Sequence, residues 1–526
     1  MVVAILLFTL MIWWLYKHRL FGLFNDTRLT RQRLLVLFLI KVAAIGVFYV
    51  AYGRNGGLEK SDAGKFYHDA HVIANWGRHH PGDFVAFMTG SLDDSDGSAA
   101  HRACFTNTYN WNTGRSKDFF YNDNRLVIRL HALIDFLTNG TYFTHALISL
   151  LIGWYGLFLI SQVLATLTRG NFRTVFTISS ILPSLWFYSA APLKEPLVLL
   201  VCGQVAITAL ELSLSRFNYS TLIRFVFFAA VSLLLKPYVC GVWLLVCGAA
   251  AITYRFAPSA PVRQAGLFSA MLLVVFIVFN LLAVHTKGRS LFAQMERQQK
   301  QFAITSAGGM YLSSSDKYLR MVPDSSLLIK AEPAHYYSIK SGAAYSYWLD
   351  AKPDDSLYVS SNTDTTTLYL LEDFSLPGRS NIAIENYGST RFSQLTHALF
   401  YGLLYPLPWQ VRGGLQPLMA LENLLIIIAL LVLLRHIITT KEHRYLLLLL
   451  LFLGLLLCAL PGFTAPNSGA IFRYRMTGVL LIVSGAISIL TARYPNNRYL
   501  RHLWIYSEKS ELRMLPLVPR IQCKNI

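Results

Sequence analysis

The feature that most constrains this chain is a series of apolar runs about twenty residues long, among them Leu34 to Tyr52, Tyr142 to Thr168 and Leu415 to Ile438. A helix rises about 1.5 Å per residue, so each run matches the roughly 30 Å of hydrocarbon in a bilayer. Lipid offers no partner to backbone N–H and C=O groups, and an unbroken apolar run satisfies them internally as a helix. Composition agrees: of 526 residues, 54% are hydrophobic and 14% charged, where soluble domains carry about 25% charge. The fold class this predicts is an all-α polytopic membrane protein.

Placing basic connections on the inside predicts about eleven spans, at 1–16, 34–52, 142–168, 174–190, 193–213, 222–236, 238–254, 266–285, 415–438, 445–460 and 476–493. The first run has no basic n-region and no small-residue cleavage site, and Lys17, Arg19, Arg28, Arg31 and Arg33 follow it, as expected of a retained helix that starts outside. Spans 222–236 and 238–254 are short enough to form one bent or re-entrant pair. The net charge of +19 sits mostly in short connections and the tail, where the positive-inside rule places it, so a nucleic-acid partner is not expected. Cys202, Cys240, Cys247 and Cys458 fall in apolar stretches, Cys104 in a polar loop and Cys523 in the tail, with no disulfide or metal spacing.

The chain thus divides into two leading helices (1–52), a first outer loop (53–141), central helices (142–285), a second outer loop (286–414), three last helices (415–493) and a basic tail (494–526). The first loop holds Leu126, Val127, Leu130, Leu133, Ile134 and Leu137 at helical spacing, which predicts a helix lying along the membrane surface. The second begins with a predicted polar helix near 291–302. Short runs rich in Tyr, Val and Thr follow, such as TLYLLEDFSLPG at 367–378, and predict a small β-rich element. ALFYGLLYPLPW at 398–409 is too short and Pro-broken to span, so a re-entrant or interfacial segment is expected.

Four features carry chemistry, and the alternation places all four on the outer face. Glu59, Asp62 and Asp69 follow the second span; Asp62 and Asp69 are seven apart and share a helical face, with Phe66 between them and His68 beside. A carboxylate near a low-dielectric surface is a reasonable general base, because partial burial raises its pKa; the plainer reading is a solvated charged loop. Lys194 and Glu195 interrupt an apolar hairpin, which marks either a site or a self-neutralised turn. Lys236 stands before Pro237 at another turn, where snorkelling is the plainer reading. Arg473 and Arg475 stand at the mouth of the last span, against the positive-inside bias. Their planar forks suit phosphate, or simply lipid headgroups.

The acidic motif SDAGKFYHDA (61–70), the surface helix NRLVIRLHALIDFL (124–137) and FRYRMTGVLLI (472–482) together resemble the GT-C class of membrane glycosyltransferases, which take sugars from polyprenyl-phosphate carriers. PSLWFYSAAPLKEP and LLYPLPWQVRGGLQPLMALENLL look like segments of membrane proteins from bacterial polysaccharide loci. The resemblance implies that Asp62 is the catalytic carboxylate, with Asp69 a second acid or a ligand for a divalent metal ion. It implies that Arg473 and Arg475 bind the carrier phosphate, while Lys194 and Glu195 have no counterpart in the class; from their positions alone, Lys194 and Lys236 are expected to join the donor-phosphate site, with Glu59, His68 and Glu195 as further candidates. It implies a multi-pass protein of a bacterial inner membrane with large loops outside, membrane lipids and a polyprenyl-phosphate-linked sugar donor as partners, and a glycan, lipid or protein acceptor. The chain departs from the class in an extra helix before the first loop and in lacking an adjacent Asp-Asp or Asp-Glu pair. A polysaccharide polymerase or ligase would use the same donors. From another class, a transporter or flippase of a lipid-linked or anionic solute would line a path with these cations, although such folds show repeated halves.

Overall fold

The computed structural model describes residues 2–18, 24, 28–53, 57–90, 108–111, 124–214, 218–256, scattered positions in 266–285, the strands and turns within 309–374, and 391–494 apart from 412, 440–443 and 466–467. The expected polar helix at 291–302 and the tail beyond 494 lie outside these residues, and the expected span 266–285 largely so.

The helices run α1 (Val2–His18), α2 (Arg31–Gly53), α3 (Asp62–His79), α4 (Pro81–Thr89), α5 (Asn124–Thr138), α6 (Tyr142–Thr168), α7 (Phe172–Ile181), α8 (Pro183–Tyr188), α9 (Lys194–Leu214), α10 (Tyr219–Leu235) and α11 (Pro237–Phe256). After the strands come α12 (Arg391–Leu404), α13 (Gln416–Thr439), α14 (Arg444–Thr464), α15 (Ser468–Tyr474) and α16 (Met476–Arg493). Six of them, α2, α6, α9, α13, α14 and α16, are long and apolar enough to cross a membrane, and α1, α10 and α11 are shorter apolar helices. The chain is a predominantly helical membrane protein.

α6 and α9 pack closely against each other. A Cβ on Gly156 would sit 2.3 Å from the Leu199 backbone, so only glycine allows this approach. α16 joins the bundle through hydroxyls as well as apolar side chains: Ser179 and Ser484 hydroxyls lie 2.8 Å apart, and Thr168 bonds Ser488. Both arrangements are ways for helices to associate where lipid supplies no hydrophobic drive.

The expected single span at 174–190 is instead two short helices. Pro183 lacks an N–H and forces Leu182 out of helical geometry (φ −55°, ψ 130°), which breaks the run between α7 and α8. At 219–256 the same rule gives two helices meeting at Lys236 and Pro237. The helix at 124–138 has its polar residues turned inward: His131 and Asp135 are buried, and α5 packs along α3.

The β-rich element in the second loop is a seven-stranded antiparallel sheet in the order β3-β4-β7-β1-β2-β5-β6. Its strands are β1 (Gly309–Ser313), β2 (Tyr318–Val322), β3 (Leu328–Ala331), β4 (Tyr336–Ile339), β5 (Ala344–Leu349), β6 (Tyr358–Ser361) and β7 (Thr367–Phe374). Leu312, Val322 and Ile339 form a small apolar core of their own. The expected all-α class is therefore a helical bundle carrying one inserted sheet.

Candidate functional site

Five chain segments meet at one end of the bundle. α3 begins there because Ser61 caps it: the Ser61 hydroxyl accepts from the Gly64 N–H at 3.1 Å and donates to Leu58 O at 2.6 Å. A Cβ on Gly64 would lie 2.1 Å from Leu58 O, so glycine is what lets the short turn Leu58–Lys60 fold back on the helix. Asp62 is then the first helical residue, where the helix dipole favours a carboxylate. Glu195 stands in the first turn of α9 with Pro196 behind it, a position where no N–H is needed. Lys236 is delivered by the break before Pro237, and its carbonyl accepts from Val239 and Cys240. Arg473 lies in the last turn of α15.

These residues form a chain of alternating charge. Arg473 Nη1 donates to Asp62 Oδ2 at 2.5 Å, Arg473 Nε faces Glu195 Oε1 at 2.7 Å, and Lys236 Nζ donates to the same Glu195 oxygen at 2.5 Å. The Tyr474 ring lies under the Lys236 ammonium at 4.1 Å and near the Arg473 guanidinium at 5.4 Å. Lys194, itself buried, lies within electrostatic reach of both Asp62 and Lys236. Three cations thus face two carboxylates, leaving an excess positive charge. The Asp62 side chain is 48% exposed, while Glu195 and Lys236 are sealed inside at 1% and 6%. Glu195 Oε2 is buried with no hydrogen-bond partner among the described atoms.

One expectation reverses here. Burial works to raise the Asp62 pKa, as the sequence suggests, but the Arg473 guanidinium, with Lys65 and Lys194 behind it, outweighs burial and holds the carboxyl below its ordinary value. Residue 473 is 411 positions away from residue 62, a pairing that no local pattern announces.

The other sequence candidates divide. Asp69 lies wholly inside, accepting the backbone N–H groups of Tyr109, Asn110 and Trp111 at 2.7, 2.7 and 2.9 Å. Both its oxygens are engaged by the loop it pins, away from the pairing of Asp62 with Arg473. The His68 ring packs against Tyr109 at a tilt, centroids 4.8 Å apart, and exposed Glu59 precedes the same helix. Burial first, then Glu59, Asp69 and Tyr337, push the Tyr109 phenol up.

Arg475 turns away from Arg473 into the interior and is fully buried. Its guanidinium donates to the carbonyls of Gly402 (3.1 Å) and Leu403 (3.3 Å), to Glu422 Oε1 (3.3 Å) and to Asn423 Oδ1 (2.6 Å). Those bonds tie α12, α13 and the start of α16 together.

Three residues were not anticipated. Glu422 receives Arg475 and also the Ser184 N–H at 2.7 Å, the donor freed where Pro183 breaks the helix. Lys41, wholly buried in α2, donates to Leu185 O at 2.9 Å and Ser189 Oγ at 2.5 Å, anchoring the segment that leads to Glu195. Tyr52 lies near Tyr188, within electrostatic reach of Arg473, Asp62 and Glu195. The signal for Lys41 and Glu422 was present, since each is an ionisable residue inside an apolar run.

A divalent metal does not fit this arrangement. Among the described residues no three His, Cys, Asp or Glu side chains converge as a metal requires, and Arg473 occupies the space between Asp62 and Glu195. No family model, curated protein or solved structure matches the chain.

Proposed function

We propose that this chain is a membrane glycosyltransferase of the GT-C type, transferring a sugar from a polyprenyl-phosphate donor to a hydroxyl of a glycan, lipid or protein. The observation that carries the reading is the Asp62–Arg473–Glu195–Lys236 chain: a half-exposed carboxylate held by a guanidinium, backed by two further cations at a bundle end. Such a cluster suits a phosphate bonded to a sugar, because the phosphate competes with Asp62 for Arg473. Once Arg473 turns to phosphate, Asp62 loses the charge that holds its pKa down and becomes a stronger base.

The acceptor O–H then gives its proton to Asp62, and its oxygen bonds the anomeric carbon. The bond from that carbon to the phosphate oxygen breaks, and polyprenyl phosphate leaves with the electron pair. Arg473, Lys236 and Lys194 neutralise the charge that develops on it. A single displacement of this kind inverts the anomeric configuration. Glu195 holds Arg473 and Lys236 in place while keeping the resting cluster from trapping anions.

In this reading the protein crosses a bacterial inner membrane about eleven times with the site at its outer face, because the basic connections 17–33, 169–173, 255–265 and 439–444 then fall inside. The test is transfer by purified protein in lipid nanodiscs, using a panel of polyprenyl-phosphate sugars. Asp62→Asn is expected to lower the rate at least ~100-fold, the usual worth of a general base, and Arg473→Ala to weaken donor binding as well. Undiminished transfer by Asp62→Asn removes the base, and movement of the donor across the bilayer without a new glycosidic bond makes the protein a transporter.

A further inference from the structure

α2 carries a lysine that the proposed reaction does not touch. An ammonium inside a spanning helix is costly unless it does what an apolar residue cannot, and Lys41 is wholly buried in an otherwise apolar run. Its bonds form a closed set. Ser189 Oγ donates its one proton to Leu185 O at 2.5 Å, so toward Lys41 Nζ, also 2.5 Å away, the serine oxygen can only accept. Lys41 gives a second proton to Leu185 O at 2.9 Å.

Leu185 and Ser189 bracket the last turn of α8. A helix of six residues is too short to hold itself, and α8 is held from outside at both ends. Glu422 takes the Ser184 N–H at its start and Lys41 the Leu185 carbonyl at its finish, the signs of charge that the helix dipole favours at each. Trp186 adds a second tie to α2, from Nε1 to Ile40 O at 2.8 Å.

Tyr188 sits on the turn that Lys41 fastens, and it reaches α15. Its ring meets Phe472 edge-on, centroids 5.9 Å apart, and its hydroxyl donates to Gly469 O at 3.3 Å. Within α15 that same carbonyl is the helical acceptor for the N–H of Arg473, four residues on. Tyr188 therefore grips the backbone group to which Arg473 is tied.

From this geometry we infer that Lys41 is a positioning residue for Arg473: it fixes the last turn of α8, and Tyr188 on that turn fixes the turn of α15 that carries the guanidinium. Without Lys41 the turn is free to shift, Tyr188 loses Gly469, and Arg473 no longer stays between Asp62 and Glu195. What Arg473 is positioned to bind rests on the proposed reaction; that Lys41 positions it does not.

The test is hydrogen–deuterium exchange of the full chain in nanodiscs, comparing peptides that cover 468–475 with peptides that cover 124–138. Lys41→Met, which keeps an unbranched side chain and removes its donors, is expected to speed exchange at 468–475 roughly tenfold, the scale of a lost hydrogen bond to a charged group, and to leave 124–138 as in wild type. Tyr188→Phe removes only the hydroxyl and should speed the same peptides. Because the two residues act in series, the double variant should exchange no faster there than Lys41→Met alone. In sugar transfer both variants should raise the donor KM with a smaller change in kcat, whereas a loss of folded protein lowers kcat and leaves KM alone. Wild-type exchange at 468–475 in Lys41→Met overturns the inference, as does an acceleration shared equally by 124–138, which marks a lysine that only stabilises the fold. Additive effects in the double variant overturn it too, and wild-type exchange in Tyr188→Phe does so even if Lys41→Met is unstable. A wild type that binds no polyprenyl-phosphate sugar, with the exchange pattern as expected, removes the proposed reaction and upholds the positioning.

Discussion

Arg473 and Arg475 are two residues apart and have opposite surroundings. Arg473 bridges Asp62 and Glu195 at the rim of the bundle, where Asp62 is half open to solvent; Arg475 is sealed against Glu422, Asn423 and two carbonyls. Positions two apart on a helix point to opposite sides, so one arginine of the pair had to face inward once the other faced the rim. The difference teaches how to separate a structural ion pair from a functional one. Where a charged group is wholly buried and its bonds run to neighbouring helices, charge organises packing. Where one partner stays half exposed and can be displaced, charge is available to a ligand.

The sharpest way to break that comparison is to remove Glu422. The Arg475 guanidinium would then remain buried without its counter-ion, and the Ser184 N–H would lose its acceptor. Glu422→Ala is expected to cost roughly 3–5 kcal/mol, the range for breaking a buried pair by removing one partner. Replacing both partners with apolar residues, Glu422→Leu with Arg475→Met, should cost less than the single change. Thermal unfolding of wild type, Glu422→Ala and the double variant in detergent measures it; a single mutant as stable as wild type would mean that Arg475 reaches water.

Asp69 offers an intermediate case, buried like Glu422 but held by three backbone N–H groups. Asp69→Asn keeps one acceptor oxygen and loses the charge that three backbone N–H groups share. A loss of roughly 1.5–3 kcal/mol is expected, the worth of hydrogen bonds to a charged group. It should be read as faster amide exchange at 108–111 with the Asp62 pairing intact. Loss of sugar transfer without faster exchange would return Asp69 to the reacting centre.

Much of this arrangement is written in the chain. The runs at 142–168 and 476–493 fold as single helices over those residues because nothing interrupts their apolar character. Lys194, Glu195, Lys236 and Arg473 are legible as the places where charge breaks such a run. The bend at Leu182 was also within reach, since Pro183 forbids a continuous span. What no local pattern supplies is partner choice. Whether Asp62 finds water or a guanidinium depends on bringing α15 to the start of α3, and that contact decides the direction of its pKa shift. Arg475 follows the same rule: its residue type promises a phosphate ligand, and its position on the turn gives it to Glu422.

The smallest expected effect is the one that tests the rim itself. Because Asp62 is 48% exposed, Asp62→Asn should change stability by less than about 1 kcal/mol, as exposed pairs do, even as it removes transfer. Its sign with pH is fixed. The native carboxyl is held below its ordinary value, about 3.9 when unfolded. The pair therefore stabilises the fold above that value, and the contribution fades as pH falls through the lowered native one. The difference in melting temperature between wild type and Asp62→Asn should stay constant above about pH 5 and close as pH falls through the lowered native value. It should also shrink in ~1 M salt, where the screening length falls to about 3 Å. A difference that widened on acidification would show a native pKa raised above the unfolded one, and Arg473 would then be no partner of Asp62.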